Sequence, residues 1–200
     1  MRFERENADF HIHSRYSSDG HLEPEKIIAL AEKNDLETIA VTDHDTVKGG
    51  RETRKKAEER GTDLNVVVGA EINTDRGDII GLGLREEIQT TELHETIEEI
   101  KEQGGEVYLP HPFDKFRRSA LGEYAFEVAE KLDYVEIFNG RCLLNSFDRQ
   151  AENFADKYGL AKLVGSDSHF GFEMGNLSPG VGRFTKALLA HFLTKLNVRL

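Results

Sequence analysis

The sequence is poor in cysteine, proline and tryptophan: its 200 residues include one cysteine, four prolines and no tryptophan. The single cysteine, Cys142, excludes an internal disulfide and any zinc site rich in thiolates, and it fits a reducing compartment. Any metal ion bound within this chain must therefore be held by histidine, aspartate and glutamate side chains.

Long apolar runs and an excess of positive charge are also absent. The run VVVGA is far shorter than the roughly 20 residues that a membrane-spanning helix needs, and the charged start MRFERENADF lacks the apolar core of a signal peptide. Lys and Arg number 26 against 37 Asp and Glu, which gives a net charge of -11. Neither duplex DNA nor a membrane is expected as a partner. The sequence predicts a cytoplasmic protein.

Strand-like and helix-like segments alternate along the chain. The strand ADFHIH is followed by the helix LEPEKIIALAEKNDL, the strand TIAVTDHD, a helix from about Val47 to Arg60 and the extended segments NVVVGAEI and GDIIGLGL. Then come the helix TTELHETIEEIKEQ, the strand EVYLPH, the helix LGEYAFEVAEKL, the strand DYVEIFN, the helix LNSFDRQAENFADKYGL and the strand AKLVGSDSH. Because no repeat or linker interrupts this alternation, we predict one α/β domain over residues 1–200 with a largely parallel sheet.

The segment FHIHSRYSSDG places two histidines one residue apart. On a strand, His11 and His13 point to one face, and Phe10 and Ile12 point to the other. Two imidazoles directed at one point suit a metal ion, but an isolated pair of this kind is more often a half-buried polar pair, since an ion needs three or more ligands. The remaining strands must decide between these interpretations.

Ligand-type residues recur where the other predicted strands end. The carboxyl ends of parallel strands meet at one mouth of an α/β barrel, where such folds build their sites. The residues at these ends are His11, His13, Asp43, His44, Glu71, His111, Asn139, Asp167 and His169. Helix capping explains single aspartates but not the histidines, and an unpaired carboxylate at the end of the apolar strand VVVGAE would cost on the order of several kcal/mol. The pattern predicts a metal centre at the mouth.

Taken together, the motifs DFHIHSRYSSDG, VTDHDT, GAEI, PHPF and GSDSH resemble, in this order, those of the PHP (polymerase and histidinol phosphatase) superfamily of metal-dependent phosphoesterases. The resemblance covers most of the chain and is strongest to the small stand-alone members. It implies a distorted seven-stranded (β/α)7 TIM-like barrel with two to three divalent ions at its mouth. Zinc, manganese and iron all suit ligands of nitrogen and oxygen.

The resemblance also implies which residues hold these ions. The first ion would be held by His11, His13, Glu71 and Asp167. Glu71 would bridge to a second ion that is also held by His111, and the third would be held by Asp19, His44 and His169. This chain departs from the family in two places: many members have a His or Cys in place of Asn139, and the interval from His13 to Asp19 is one residue longer than in the commonest pattern.

The implied reaction is hydrolysis of a small phosphomonoester by a metal-activated hydroxide. The substrate would be a nucleotide, a nucleoside bisphosphate or, with less support, histidinol phosphate. Clustered divalent ions lower the pKa of water towards about 7 and neutralise phosphoryl oxygens. Asp43 and His169 are candidates for positioning water or relaying protons, although Asp43 is equally suited to orienting His44. The candidate phosphate contacts are Lys115, Arg117, Arg118 and Arg141, and Arg141 is also a catalytic candidate.

Two alternatives stay open at this point. A single-strand 5'-3' exonuclease of the same superfamily would stack bases on aromatic side chains beside the mouth. The aromatic residues near the motifs are Phe113, Phe116, Phe170 and Phe172, each equally suited to packing. A non-catalytic barrel that binds metal or RNA is the other alternative. We expect no special role for the remaining histidines, which are His21, His94 and, in the apolar C-terminal segment ALLAHFLTKL, His191.

Overall fold

The structure, a computed structural model, describes residues 7–175 and residue 177. Seven strands form one sheet whose spatial order follows the order of the chain. They are β1 (Ala8–Ile12), β2 (Thr38–Val41), β3 (Asn65–Asn73), β4 (Asp78–Leu82), β5 (Glu106–Leu109), β6 (Tyr134–Asn139) and β7 (Ala161–Gly165). The sheet curls until Ile12 and Ser168 form a parallel bridge between β1 and the residues after β7. The result is the nearly closed seven-stranded α/β barrel that the sequence predicts.

Five α-helices lie within the described residues. They are α1 (Pro24–Lys33), α2 (Lys48–Arg60), α3 (Leu93–Glu102), α4 (Ala125–Val128) and α5 (Asn145–Tyr158). Helix α1 begins with a proline and buries Ile27, Ile28 and Ala31, as its apolar spacing predicts. No helix in the described part of the chain is long and apolar enough to cross a membrane. The predicted C-terminal helix around His191 lies outside the described residues.

The segment LGEYAFEVAEKL is less regular than the continuous helix that its pattern predicts. A 3-10 turn at Gly122–Tyr124 precedes the single turn of α4, and a second 3-10 turn follows at Ala129–Lys131. Gly122 has a left-handed backbone with φ of 58°, and Val128 leaves the helical region with φ of -106° and ψ of 3°. These two backbone conformations confine α4 to four residues.

Strand β4 runs against its neighbours. It pairs antiparallel with both β3 and β5, whereas the other neighbouring strands pair in parallel. A tight turn joins β3 to β4, in which the amide of Thr74 donates to the carbonyl of Gly77 at 3.1 Å. The amino end of β4, rather than its carboxyl end, therefore lies at the mouth. Glu71 was expected at the end of its strand, but β3 continues to Asn73 because these last residues pair with β4.

Strand β1 is irregular between Asp9 and Ile12, where its register with β2 shifts. Phe10 belongs to a cluster of strand residues inside the barrel, to which all seven strands contribute and no helix does. Ile12 packs instead against the buried face of α1. The prediction that Phe10 and Ile12 share a face is therefore wrong, because the irregularity interrupts the alternation of the strand. The histidines on either side of Ile12 both remain fully buried.

Candidate metal centre

Four ligand atoms converge at the mouth of the barrel. The Nε2 atoms of His11 and His13 lie 3.0 Å apart, and each lies 3.2 Å from Oε2 of Glu71. Oδ1 of Asp167 is 3.8 Å from Nε2 of His11 and 3.6 Å from Nε2 of His13. Ligands arranged tetrahedrally at about 2.0–2.1 Å from a zinc ion are roughly 3.3 Å from one another. The spacing of these four atoms therefore fits one coordination shell.

The second oxygen of Glu71 faces another histidine. Its Oε1 atom lies 2.9 Å from Nε2 of His111, and ligand atoms of His11, Glu71 and His111 form one compact group. Burial alone would raise the pKa of Glu71, but the charge of His11, then that of His44, holds it well below its ordinary value. Glu71 is thus an ionised, buried carboxylate with one oxygen directed to each of two ligand groups, which suits a bridging ligand.

A third group lies nearer the solvent and consists of His13, Asp19, His44 and His169. Oδ2 of Asp19 is 3.0 Å from Nε2 of His169 and 3.8 Å from Nε2 of His44. Burial opposes ionisation of Asp19, yet its hydrogen bond with His169 and the charge of that residue lower its pKa below the ordinary value. All three groups offer imidazole nitrogen and carboxylate oxygen, so they fit divalent transition-metal ions.

The extra residue between His13 and Asp19 is taken up by a compact loop. The amide of Ser17 donates to the carbonyl of Ser14 at 3.1 Å, and the hydroxyl of Ser17 donates to Oδ1 of Asp19 at 3.2 Å. A Cβ atom at Gly20 would lie 1.9 Å from the carbonyl oxygen of Ser14, so only glycine fits there. The loop can therefore carry Asp19 back to His169 despite the longer interval.

Asp78 is a mouth residue that the sequence reasoning missed. It is the first residue of β4 and is 3% exposed, and its Oδ2 atom lies 3.9 Å from Nε2 of His111. Burial, followed by the charge of Glu71, raises its pKa. The rule for parallel strands points to residues at their carboxyl ends, whereas Asp78 reaches the mouth from an amino end because β4 is antiparallel. The turn sequence TDRGD, which predicts a hairpin, was the available signal.

Asn139, where many family members have a ligand, does not face the ligand groups as a free amide. Its Nδ2 atom donates to Oε2 of Glu136 at 2.9 Å and to Oδ2 of Asp167 at 3.2 Å. Its Oδ1 atom accepts from Nη2 of Arg117 at 3.3 Å and from the amide of Arg141 at 2.9 Å. These contacts indicate that Asn139 holds neighbouring side chains in place.

Asp43 is fully buried. It is not among the residues that line the cavity beside the three ligand groups, which is described below. Its Oδ1 atom accepts from the amide of Ser14 at 2.6 Å, and its Oδ2 atom accepts from the hydroxyl of Ser14 at 2.7 Å. These bonds tie the loop after β1 to the end of β2. They favour a structural role for Asp43 over the water-positioning and proton-relay roles considered for it, and over orientation of His44.

His169, the other candidate for proton transfer, has both ring nitrogens engaged. Its Nδ1 atom lies 2.9 Å from the carbonyl oxygen of Asp167, and its Nε2 atom faces Asp19. Burial, then the charges of His13 and Arg141, lower its pKa to about 4. The direction of Nε2, which faces the third group, favours the role of ligand.

Three of the four predicted phosphate contacts line one cavity. This cavity has a volume of about 280 Å³ and is lined by Asp19, His44, Glu71, Asp78, Arg117, Arg118, Ser119, Arg141, Asp167 and His169. Nε of Arg141 lies 3.1 Å from Oε1 of Glu173. Lys115 lines a neighbouring cavity instead, together with Phe113 and Gln150. The structure thus brings together the ligand groups and three arginines, and leaves Lys115 beside them.

The aromatic residues near the motifs differ in exposure. Phe113 and Phe170 are buried, and Phe172 stacks on Phe170 with ring centroids 5.7 Å apart. Phe116 is 65% exposed and touches Phe147 edge-on. Only Phe116, among these four, leaves most of its ring exposed to solvent.

The chain is similar to several known proteins. A model of the PHP domain matches residues 9–196. An uncharacterized protein of Methanocaldococcus jannaschii is 44% identical in an alignment of 143 residues, and the match covers 66% of this chain and 81% of that protein. A second uncharacterized protein of the same organism is 44% identical over 121 residues, and the match spans 58% of this chain and 51% of that protein. This chain therefore corresponds to about half of the second relative.

More distant similarities agree in fold. An amidohydrolase from Chromobacterium violaceum superposes with a TM-score of 0.72 at 18% identity, covering 92% of this chain and 96% of that chain. A two-domain protein from Bacteroides vulgatus, which contains a predicted PHP-like metal-dependent phosphoesterase, superposes with a TM-score of 0.69 at 21% identity, covering 84% of this chain and 53% of that one. The family model spans nearly the whole chain, and the chain therefore belongs to the PHP domain family.

Proposed function

We propose that this protein is a metal-dependent phosphoesterase that hydrolyses a small phosphomonoester, such as a nucleotide or a nucleoside bisphosphate. The observation that carries this proposal is the shared cavity: residues of all three ligand groups and three arginines line a single space of about 280 Å³. Cations and guanidinium groups are the two kinds of charge that stabilise a phosphoryl group as it is transferred.

We further propose that two to three zinc, manganese or iron ions are bound per chain by His11, His13, Asp19, His44, Glu71, His111, Asp167 and His169. When bound, these ions supply Lewis acidity that activates water near neutral pH and neutralises the phosphoryl oxygens. Asp78 completes the second group, because its buried Oδ2 atom is directed at His111. No protein nucleophile is required for such a reaction.

The arginines divide into two kinds by their partners. Arg117 pairs with Asp167 and Asp114, and Arg141 pairs with Glu173. Arg118 lines the cavity but makes no ion pair within the described residues. We therefore assign the principal phosphate contact to Arg118. Arg141 serves as a second contact where a phosphate oxygen replaces the carboxylate of Glu173.

The volume of the cavity and the net charge of the protein favour a small substrate over a polymer. A cavity of about 280 Å³ lies at the small end of the range for ligand sites. The net charge of -11 opposes a long phosphate backbone passing over the surface. A phosphomonoester the size of a mononucleotide would place its phosphate inside the cavity, beside the proposed metal ions and Arg118.

A second candidate function is 5'-3' exonuclease activity. The 5'-3' exoribonuclease Rnm of Escherichia coli is 38% identical to this chain over 66 residues, which are 33% of this chain and 22% of that enzyme. Phe116, with its exposed ring beside Arg117 and Arg118, is the residue that would stack on a base. The short match and the acidic charge leave this function second.

Hydrolysis assays test the proposal. The purified protein should be loaded with Mn²⁺, Zn²⁺ or Fe²⁺ and offered p-nitrophenyl phosphate, mononucleotides, nucleoside bisphosphates, histidinol phosphate and a single-stranded oligonucleotide. We expect turnover of at least one phosphomonoester that is lost with a chelator and restored by metal. Glu106→Gln, at the opposite end of the barrel, is the matched control for ligand variants. A protein that contains metal but hydrolyses no phosphoester would support the non-catalytic alternative.

A further inference from the structure

A buried carboxylate that is not part of any ligand group lies directly behind the metal centre. Glu136, on β6, is 1% exposed. Its Oε1 atom accepts from Nδ1 of His11 at 3.0 Å and from the hydroxyl of Tyr108 at 3.1 Å. Its Oε2 atom accepts from the amide of His111 at 2.6 Å and from Nδ2 of Asn139 at 2.9 Å. Four donors from three strands and one loop therefore meet on one side chain.

The bond to His11 determines which ring nitrogen carries the proton. Both oxygens of Glu136 already accept from other donors, namely the hydroxyl of Tyr108, the amide of His111 and Nδ2 of Asn139, so Nδ1 of His11 donates to Oε1 as well. Nε2, whose neighbours are the ligand atoms of His13 and Glu71, then presents its lone pair when the imidazole is neutral. A carboxylate behind a metal-ligating histidine also raises the basicity of that ligand.

The neighbouring strand is shaped to let Glu136 approach His11. A Cβ atom at Gly165 on β7 would lie 2.3 Å from Oε1 of Glu136 and 2.4 Å from Cβ of His11. Both distances are too short for real atoms, so a side chain at this position would displace one partner. The absence of a side chain at Gly165 thus preserves the contact between Glu136 and His11.

The other oxygen of Glu136 extends this control to two more ligands. The backbone of His111 has φ of 27°, a value that residues other than glycine rarely adopt, and the bond from its amide to Glu136 holds that conformation. Asn139 uses the same Nδ2 group to contact Oδ2 of Asp167, whose other oxygen faces the first ligand group. Glu136 is connected in this way to ligands of both the first and the second group.

We propose that Glu136 is the positioning residue of the metal centre, which holds His11 in the tautomer that binds metal and fixes His111 and Asp167 through its second oxygen. This inference rests on the metal centre of the proposed function and adds a residue that does not itself bind metal. It also gives Asn139 a role: the amide connects Glu136 to Asp167.

The test measures metal affinity without any assay of hydrolysis. Zn²⁺ and Co²⁺ affinities of the wild type, Glu136→Gln and the control Glu106→Gln are measured by competition with a chromophoric chelator, and the Co²⁺ absorption spectrum is recorded. Gln keeps one oxygen for His11, but its amide nitrogen can accept from neither Asn139 nor the amide of His111. We expect Glu136→Gln to bind metal about 10–100-fold more weakly with an altered Co²⁺ spectrum, and Glu106→Gln to match the wild type.

Circular dichroism of the metal-free proteins distinguishes a folding defect from a metal-binding defect. If Glu136→Gln does not fold, Asn139→Ala takes its place, because it cuts the connection to Asp167 and leaves His11 untouched; a loss of at least about fivefold in affinity is expected. Wild-type affinity and an unchanged Co²⁺ spectrum in the folded variant would overturn the inference. A wild type that binds metal but hydrolyses nothing would overturn the proposed function and leave this inference standing.

Discussion

Nη2 of Arg117 lies 2.5 Å from Oδ2 of Asp167. The other oxygen of this carboxylate, Oδ1, faces the imidazoles of His11 and His13. One oxygen of Asp167 is therefore held by the protein, and the other is left for a cation. Arg117 thus organises a ligand more than it offers charge to a substrate.

Replacing Arg117 should consequently affect stability and metal content before it affects substrate binding. A charge-assisted hydrogen bond to a buried carboxylate contributes about 1.5–3 kcal/mol, and we expect Arg117→Ala to lower the free energy of unfolding of the metal-free protein by an amount in this range. Urea unfolding measures it. Arg117→Lys, which keeps the charge, is the comparison, and equal stability of the wild type and Arg117→Ala would show that the pair is unimportant.

Arg118→Ala, in contrast, should reduce catalytic efficiency and leave stability and metal content unchanged. Loss of a phosphate contact of about 1.5 kcal/mol lowers kcat/KM about tenfold, and bound metal should not change because Arg118 contacts no ligand group. Kinetics on the best phosphomonoester and elemental analysis check both statements. Arg85→Ala, an exposed arginine beyond the carboxyl end of β4, is the matched control. If Arg141→Ala loses tenfold and Arg118→Ala loses nothing, the phosphate contact belongs to Arg141.

Glu71→Gln should be the most damaging single replacement among the ligands. Its Oε2 atom lies 3.2 Å from Nε2 of His11, and its Oε1 atom lies 2.9 Å from Nε2 of His111. One replacement therefore removes negative charge from the first and the second ligand group together. We expect the rate to fall at least about a thousandfold, which is on the order of 4 kcal/mol in the barrier, together with loss of metal. Retention of most activity and metal would mean that Glu71 is not a bridging ligand.

The gain in stability on metal binding should increase with pH. Burial alone would lower the pKa of His11, but the charges of Glu71, Asp167 and Glu136 raise it well above 6.5. The metal-free protein has the full benefit of protonated His11 below the unfolded pKa and loses it as pH rises through the higher folded pKa. A metal ion that replaces the Nε2 proton removes this loss.

Thermal unfolding at several pH values checks this prediction. The difference in Tm between metal-loaded and chelator-treated protein should widen as the pH rises above 6.5. The chelator-treated protein should itself become less stable over the same interval. A difference that narrows with rising pH would show that the proton on His11 does not stabilise the metal-free cluster.

Replacing Phe116 distinguishes a small phosphomonoester from an oligonucleotide as the substrate. A small phosphomonoester contacts few phosphate-binding groups, so kcat/KM should depend weakly on salt, and Phe116→Ala should not change turnover of p-nitrophenyl phosphate. An oligonucleotide substrate would show a steep salt dependence and a loss from Phe116→Ala equivalent to about 1–3 kcal/mol per stacked base. Phe126→Ala, which removes another exposed ring, is the control. A steep salt slope with preference for the oligonucleotide would replace the phosphomonoester proposal with the exonuclease.

The α/β class and most of the mouth could be predicted from the order of strands and helices, because parallel strands bring their carboxyl ends together, whereas the seven-stranded barrel was implied by the resemblance to the PHP superfamily. The positions of His11, His44, His111 and His169 follow from that rule alone. Asp78 could not be found in this way, because β4 is antiparallel and brings its amino end to the mouth, a direction indicated only by the hairpin turn TDRGD. Glu136 was missed because it looks like an ordinary residue in the middle of a strand, and its neighbours come from four other segments.

The roles of charged residues were harder to predict than their positions. Arg117, Arg118 and Arg141 were all expected near the phosphate, and all three line the cavity. Which of them is free to bind a ligand depends on partners such as Asp167 and Glu173, which are distant in sequence. Spacing along one chain segment carries no information on such pairs.

The turn between β3 and β4 has a consequence for substrate range. It comprises residues 74–77 and stands beside Ser119, which lines the cavity, and its Asp75 and Arg76 are exposed. Extra residues between the exposed Asp75 and Arg76 would extend the rim of the cavity without lengthening any βα loop. Grafting longer hairpins at this turn is thus a route to enzymes that accept larger or smaller phosphoesters while the ligand set stays unchanged.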